Sequence, residues 1–533
     1  MNPISRFPDL IFLTLSVVTS FGQLPPSFKT KNGTVKRSTD LTRKYLSPVR
    51  IVQLFDPTGK QILNAQSILK TGNGQADLNG GKYLTLKSDK SLKPWIILDF
   101  GREIQGGMEI ITTINNSNLE DPELKLEIKE VNAIFTYRDI PYLGSFTCND
   151  ERLNQIWMTG AYTVHLNMQD YLWDGIKRDR LVRVGDMHPE IMTINSVFGN
   201  NNIVPKSLDL ARDITPLPKW MNGISSYSMW WILIQHDWYY YQGDLNYLKK
   251  QKEYLSALIQ QLSAKIDSNG REILDEGRFL DWPSSENKEA IHAGLQSMMV
   301  ITFEAGKELC SILGDTETEK VCISSLAKLK KHIPAMSGSK QAAALLSLSG
   351  LIPPERANTE ILAVDGVHRM STFYGYDMLK ARAKAGDYQG AIDNIREYWG
   401  GMLDLGATTF WEDFDINRTK NGARIDEVVP AGKIDVHSSY GGYCYKGFRH
   451  SFCHGWAFGP TSWLTQFVLG VNVIEPGCKV IKIEPHLGDL KWVKGTFPTP
   501  YGIVKIEHEK MADGSVRTPF ETPKEIKVIS PKL

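Results

Sequence analysis

The chain has 533 residues, 42% hydrophobic and 23% charged, the composition of a globular protein with room for roughly two to four domains. Its 61 basic and 60 acidic side chains leave a formal charge of +1, with no long run of one sign. That balance excludes the basic surface that grips nucleic acid and an acidic solvating tail.

In chain order, Arg6 supplies a small positive region, residues 10–21 are apolar apart from scattered Thr and Ser, and Ser20 and Gly22 precede Gln23 in the small-x-small arrangement that signal peptidase accepts. An apolar run of roughly twelve residues is too short to cross a bilayer core of about 30 Å as a helix. A cleaved signal over residues 1–22 is expected, against the alternative of an uncleaved anchor. A secreted or periplasmic mature chain follows, with no membrane insertion. Residues 23–144 read as strands: short apolar stretches at 49–54, 95–100 and 108–114 are separated by Gly, Asn, Asp and Pro, with turn signals at Asn79-Gly80-Gly81 and Gly106-Gly107. A β-sandwich fits that spacing.

From residue 145 to 475 the period becomes helical, with patterns at 153–169, 229–241, 247–265, 296–313, 317–331, 367–385, 388–399 and 455–469. The helices come in pairs. No repeat of fixed period is present, which disfavours a solenoid and leaves an (α/α)6 toroid with a central cleft. Strand patterns return at 479–483, 492–497 and 502–508, so residues 476–533 form a small C-terminal β-domain packed on one of the others. The fold class expected is mainly α. The six cysteines contain no CxxC pair, so neither a disulfide framework nor a structural zinc site is indicated. Buried thiols are the default, with Cys444 and Cys453 the pair open to bridging in an oxidising compartment.

Of 13 tryptophans, 11 fall between Asp150 and Gly470, and Trp173, Trp220, Trp282 and Trp411 stand at loop edges. Aromatic faces there stack on flat or apolar ligand faces, while Trp157, Trp399 and Trp463 read as core. The densest charged segment runs from Tyr171 to Asp186 and interleaves Asp174, Asp179 and Asp186 with four cations. Read plainly it is a salt-laced surface loop. Its wrapping by Trp173, Leu181, Val182 and Val184 points instead to a partly buried cluster, whose carboxylates have acidities pushed apart. A second segment, Gly406 to Asp415, presents Glu412 between aromatic residues. Together the two segments supply the pair of carboxylates that hydrolysis of a glycosidic bond requires.

These motifs resemble the α-L-rhamnosidases of glycoside hydrolase family 78, particularly their short secreted bacterial forms. Asp174, Asp179 and Asp186 fall in the register of the family's Asp-x4-acid-x6-Asp pattern, closed by Gly185-Asp186, and Thr408-Thr409-Phe410-Trp411-Glu412 is similar to its Thr-Thr-x-Trp-Glu loop. The resemblance covers residues 146–504. It implies Asp179 as general acid and Glu412 as general base, on opposite walls of one cleft with carboxyl groups roughly 6.5–9.5 Å apart for single-displacement inversion. It further implies Asp174, Arg178, Asp186 and His454 on the sugar hydroxyls. Trp231 and Trp282 would be apolar walls, with Asp281 and Trp411 beside them. The substrate implied is an oligosaccharide or polysaccharide bearing a terminal α-L-rhamnosyl residue. The chemistry calls for no cofactor and no metal, and the sequence is silent on oligomeric state. One position departs from the pattern: Arg183 stands where the family has an aromatic residue. Either its guanidinium faces the cleft and pairs with a carboxylate of the protein or of an acidic sugar, or it points outward. Two other readings stay open, a lyase on rhamnose-capped glucuronate chains and a degenerate glycan-binding protein.

Overall fold

The computed structural model describes residues 40–78, 80–88, 93–113, 124–275, 277–437 and 449–530 and divides into two compact units, residues 1–139 and 140–533. The expected signal segment 1–22, the turn residue Asn79 and Cys444 lie outside the described residues.

In the first unit, β1 (Leu41–Leu46), β4 (Leu84–Ser88) and β6 (Gly106–Thr112) all pair with the 15-residue β7 (Leu124–Arg138), and β2 (Arg50–Phe55) pairs with β5 (Trp95–Asp99) in a second sheet. Ile68, Leu84, Ile128 and Val131 are buried between them, with Ile51, Ile96 and Leu98 from the second sheet packed on top. Apolar residues of both sheets thus face one shared core.

The second unit opens with β8 (Ser145–Cys148) and the helix α1 (Glu151–Asn167), whose N-cap Asp150 accepts from the N–H groups of Arg152 and Leu153. There follow α2 (Val184–Val197), α3 (Ile203–Asp213), α4 (Ser225–Gln242), α5 (Leu245–Ser263), α6 (Lys288–Leu313), α7 (Thr316–Leu329), α8 (Lys340–Leu348), α9 (Gly375–Lys384), α10 (Tyr388–Asn394) and α11 (Gly459–Trp463). Helix α2 packs on α4, α4 on α6, α6 on α8, α8 on α9, α9 on α11, and α11 returns to α2. These six are the most buried helices, and α1, α5 and α7 pack against them from outside. No helix among the described residues is long and apolar enough to cross a membrane.

The C-terminal strands are built onto the same unit. Strand β11 (Trp492–Thr499) pairs with β12 (Gly502–Lys510) on one side and with β8 on the other, so the strand just before α1 completes the C-terminal sheet. Val493, Phe497, Val504 and Ile506 enter the helical core. With strands at both ends of the described chain, the molecule is mixed α and β rather than mainly α. Among the described residues, Cys148, Cys310, Cys322, Cys453 and Cys478 are all buried.

Candidate active site

The charged segment between α1 and α2 is tied into a closed loop by Asp174. Its backbone N–H donates to the Leu181 carbonyl (2.9 Å), and its Oδ1 accepts from the Leu181 N–H (3.1 Å). Inside the loop, Asp179 and Arg180 take left-handed backbone conformations (φ 41° and 53°), strain of the kind that surrounding structure must hold in place. Gly175 forms a backbone bridge with His454, where an added Cβ would stand 3.0 Å from both the Cys453 carbonyl and His454 Nδ1. Gly185 lies flat against the Tyr227 ring, with room for no side chain: a Cβ would come within 2.2 Å of it. That approach lets the Tyr227 hydroxyl donate to Asp186 Oδ1 (3.1 Å). Asp186 itself occupies the first turn of α2, where a helix start favours negative charge.

Glu412 is pinned along its whole length. Its N–H donates to the Ser451 carbonyl (2.9 Å), and its carbonyl accepts from Thr372 Oγ1 (2.6 Å) and Trp456 Nε1 (2.8 Å). Its carboxylate accepts from the Ser451 N–H (3.1 Å) and from the Arg178 guanidinium. The same guanidinium donates through Nη1 to Asp179 Oδ2 (2.7 Å) and through Nε to the Arg449 carbonyl (2.5 Å). Two hydrogen bonds to one planar fork hold the facing oxygens of Asp179 and Glu412 within about 8 Å of each other. His454 joins the group, its Nε2 3.2 Å from Asp186 Oδ2 and 4.0 Å from Glu412 Oε1. Arg183 faces inward, Nε 3.4 Å from Asp174 Oδ2 and Nη2 3.9 Å from Asp179 Oδ2. Of the residues singled out in the sequence, Asp174, Arg178, Asp179, Arg183, Asp186, Glu412 and His454 therefore meet at one place.

Burial sets the electrostatics there. Asp174 is pushed above the ordinary carboxylate range by desolvation first and by Asp186 second, with His454 and Arg183 opposing. Asp186 is also raised by desolvation, against the pull of Arg183 and the Tyr227 hydroxyl. His454 is lowered by burial, with Glu412 opposing, which favours a neutral imidazole. A fifth carboxylate, Glu190, lies one turn beyond Asp186 on α2 and is held well above the usual range by burial and by Asp186 and Asp174. Two acids i and i+4 on one helix was a signal available in the sequence and passed over. Tyr227, Thr372, Ser451 and Trp456 carried no local signal, because each arrives from a distant segment.

Trp231 is a correction. It is fully buried, donates its indole N–H to the Leu208 carbonyl (3.2 Å) and packs edge-on against Tyr254, so it is core and offers the cleft no face. Trp411 is likewise buried, against Phe414 and Phe452, and supports the Glu412 loop from beneath rather than facing a ligand. Asp281 is buried too: it accepts from the Ser284 N–H (2.9 Å) and Gln341 Nε2 (2.8 Å), tying its loop to α8. Trp282 is half-buried with its edge on Phe279. Neither makes a hydrogen bond or ion pair with the carboxylate cluster.

A core of packed helices, a C-terminal β-domain and carboxylates gathered from the loop before α2, from α2 itself and from the loop around residue 412 together define a six-hairpin glycosidase fold. Residues 141–336 match the family model of the bacterial alpha-L-rhamnosidase 6 hairpin glycosidase domain, and residues 470–529 match that of the bacterial alpha-L-rhamnosidase C-terminal domain. The family expected from the motifs is thus the one whose models the chain matches. Among solved structures, the chain is similar to the GH78 family rhamnosidase of Bacillus sp. GL1 (TM-score 0.68, 20% identity, 87% of this chain and 55% of that one). It is also similar to the Streptomyces avermitilis α-L-rhamnosidase complexed with L-rhamnose (0.64, 16%, 82% and 48%). A third likeness is to the Klebsiella oxytoca rhamnosidase with rhamnose bound (0.55, 16%, 80% and 96%). The chain spans about half the length of the Bacillus and Streptomyces proteins. At these identities the likeness speaks to the fold. No curated protein matches the chain by sequence.

Proposed function

We propose that this protein is an inverting glycoside hydrolase that removes terminal α-L-rhamnosyl residues from glycans, with Asp179 as general acid and Glu412 as general base. The six contacting helix pairs are read as a closed (α/α)6 toroid whose mouth holds these residues. The observation that carries the reading is the single Arg178 guanidinium joining Asp179 to Glu412, with Asp174, Asp186 and His454 beside them. The Streptomyces and Klebsiella relatives, whose structures hold rhamnose, support the choice of sugar.

In the reaction, Asp179 gives its proton to the glycosidic oxygen as the bond to the anomeric carbon breaks. A water attacks that carbon from the opposite face, and Glu412 takes the proton the water sheds. The cycle closes when Asp179 regains a proton from solvent and Glu412 releases one. Asp174 and Asp186, buried acceptors whose Oδ2 atoms have no hydrogen-bond donor among the described residues, hold the sugar hydroxyls. Neutral His454 donates to the same hydroxyls or to Glu412. Residues 1–22 are read as a signal removed on export, so the mature chain begins at Gln23; N-terminal sequencing of secreted protein that starts at Met1 would rule this out.

The direct test is incubation with a panel of rhamnose-capped glycans and identification of the released sugar. Free rhamnose is expected, and Asp179→Asn and Glu412→Gln each lower turnover by at least about 10²-fold with the fold retained. A 4,5-unsaturated uronate absorbing in the ultraviolet would instead identify a lyase, and either variant at parent activity would remove that residue from its role.

A further inference from the structure

The Asp281-Trp282 loop, which the carboxylate cluster leaves unused, borders a second cavity. Ser284 from that loop, Ser339, Lys340 and Gln341 at the start of α8, and Asp413 directly after Glu412 line a space of about 390 Å³. That volume lies in the range of about 300–1,000 Å³ usual for small-ligand sites. Its polar lining contrasts with an ordinary packing defect, which is apolar.

The charges around it do not balance. Arg418 is taken by Asp413, and Arg369 reaches the exposed Asp365 (3.2 Å). Asp415 caps the turn that follows it by accepting from the Asn417 N–H (2.8 Å). Lys340 has no such partner. It is 1% exposed, its ammonium donates to the Gly366 carbonyl, and among the described residues no carboxylate lies within ion-pair distance of it. Burial first, then Arg369 and Arg382, push this amine down to about 8, with Asp365 opposing. A buried ammonium without a counter-charge is costly, and an anion in the cavity would remove that cost. Lys340 also stands at the first position of α8, where the free N–H groups of a helix start repel a cation and attract an anion. Independently, Ser284 Oγ is buried with no hydrogen-bond partner. A hydroxyl without a partner, a buried lysine without an ion-pair partner among the described residues and a helix start thus line one polar cavity, one residue along the chain from Glu412.

We propose that this cavity is a subsite for an anionic group, a carboxylate or a sulfate, on the glycan whose rhamnosyl residue is cleaved. The proposal rests on the glycosidase reading above and adds to it an acidic substrate class. Lys340 supplies the counter-charge, and Ser284 and the first turn of α8 donate hydrogen bonds.

The test is calorimetric, so that binding is read without turnover. The purified protein is titrated with a rhamnosyl-glucuronate oligosaccharide, its carboxyl-reduced counterpart, a sulfated neutral rhamnosyl oligosaccharide and inorganic sulfate. An acidic oligosaccharide is expected to bind at least about tenfold more tightly than the reduced one, a fold-change typical of one charge-assisted hydrogen bond. Preference for the uronate or for the sulfated sugar tells the two anions apart. Lys340→Met should erase the difference without lowering Tm, since it removes an unpaired buried charge. Should that variant not fold, Ser284→Val, which removes the hydroxyl donor and fills part of the cavity, should erase it instead. Equal affinities in the parent, or a preference that survives both substitutions, overturns the subsite. Inorganic sulfate bound as tightly as the glycans overturns its assignment to a glycan. A parent that releases rhamnose yet shows no acidic preference sinks the subsite alone; one that binds acidic glycans but releases no rhamnose sinks the glycosidase reading alone.

Discussion

Replacing Arg178 by Met keeps an apolar stem of similar length and removes every donor that joins Asp179 to Glu412. Three bonds are lost, to Glu412, to Asp179 and to the Arg449 carbonyl, and they differ in weight. Glu412 is 4% exposed, so its bond to a guanidinium falls in the class of about 1.5–3 kcal/mol, and its carboxylate keeps the Ser451 N–H. Asp179 is 35% exposed, and solvent reduces its share to under about 1 kcal/mol. The bond to the Arg449 carbonyl adds about 0.5–1.5 kcal/mol, and the combined loss of about 2–5 kcal/mol is modest for a unit of this size and lowers Tm by a few degrees. The effect on rate is larger, because the fork fixes the mutual position of acid and base, and a misplacement of about 1 Å costs on the order of 10²-fold. We expect kcat to fall by that factor with KM little changed. A role confined to binding sugar hydroxyls would do the reverse, raising KM and sparing kcat. Arg178→Lys should not rescue, since an ammonium cannot span two carboxylates as the planar fork does. The assay is steady-state rhamnose release alongside thermal denaturation. A Met variant that keeps kcat within a few-fold, or a Lys variant at parent activity, refutes the reasoning.

Arg183→Trp restores the aromatic wall of the family pattern and frees Asp174 and Asp179 from a cation; activity on neutral rhamnosides should rise relative to acidic ones, and an unchanged ratio would dismiss any part for Arg183 in selectivity. Burial raises the folded-state pKa of Asp174, Asp186 and Glu190 above the ordinary carboxylate range. They remain protonated in the folded chain at pH values where the unfolded chain, titrating near 4, has already ionised. Their effect is therefore to lower stability as pH rises from about 4 through the raised range. Glu190→Gln, which keeps the shape and the bond from Asn167, should flatten the fall in Tm between about pH 4 and 8, whereas parallel curves for variant and parent would show that Glu190 is not held protonated.

What could be read in advance followed from how local each signal was. Asp174, Asp179 and Asp186 lie within thirteen consecutive residues and Glu412 in a ten-residue loop, so their spacing was visible before any folding. The regular helices were equally visible. The loop before α9 was not: the helical pattern from residue 367 holds only from Gly375, because Asp365 and Arg369 take left-handed conformations that end it. Helix α6 starts at Lys288, eight residues before its pattern at 296, because Asn287 caps it by accepting from the Ala290 N–H. Trp231 was misread because α4 is apolar nearly all round, which leaves no stripe to say which face meets the core and which the cleft. Trp411 was misplaced for a related reason: an aromatic residue beside a carboxylate supports the loop as readily as it lines a ligand site. Arg183 was legible as a departure from the pattern, while its direction depended on two carboxylates brought together by the fold.

The central claim is single displacement between Asp179 and Glu412, and the anomer of the first-released sugar reports on it most directly. Proton NMR of an α-L-rhamnoside in the presence of the protein, recorded faster than mutarotation, should show β-L-rhamnose appearing first and the α form growing in later. Initial release of α-L-rhamnose would mean a covalent intermediate and a nucleophile in place of the general base, and the assignment of Glu412 would be wrong.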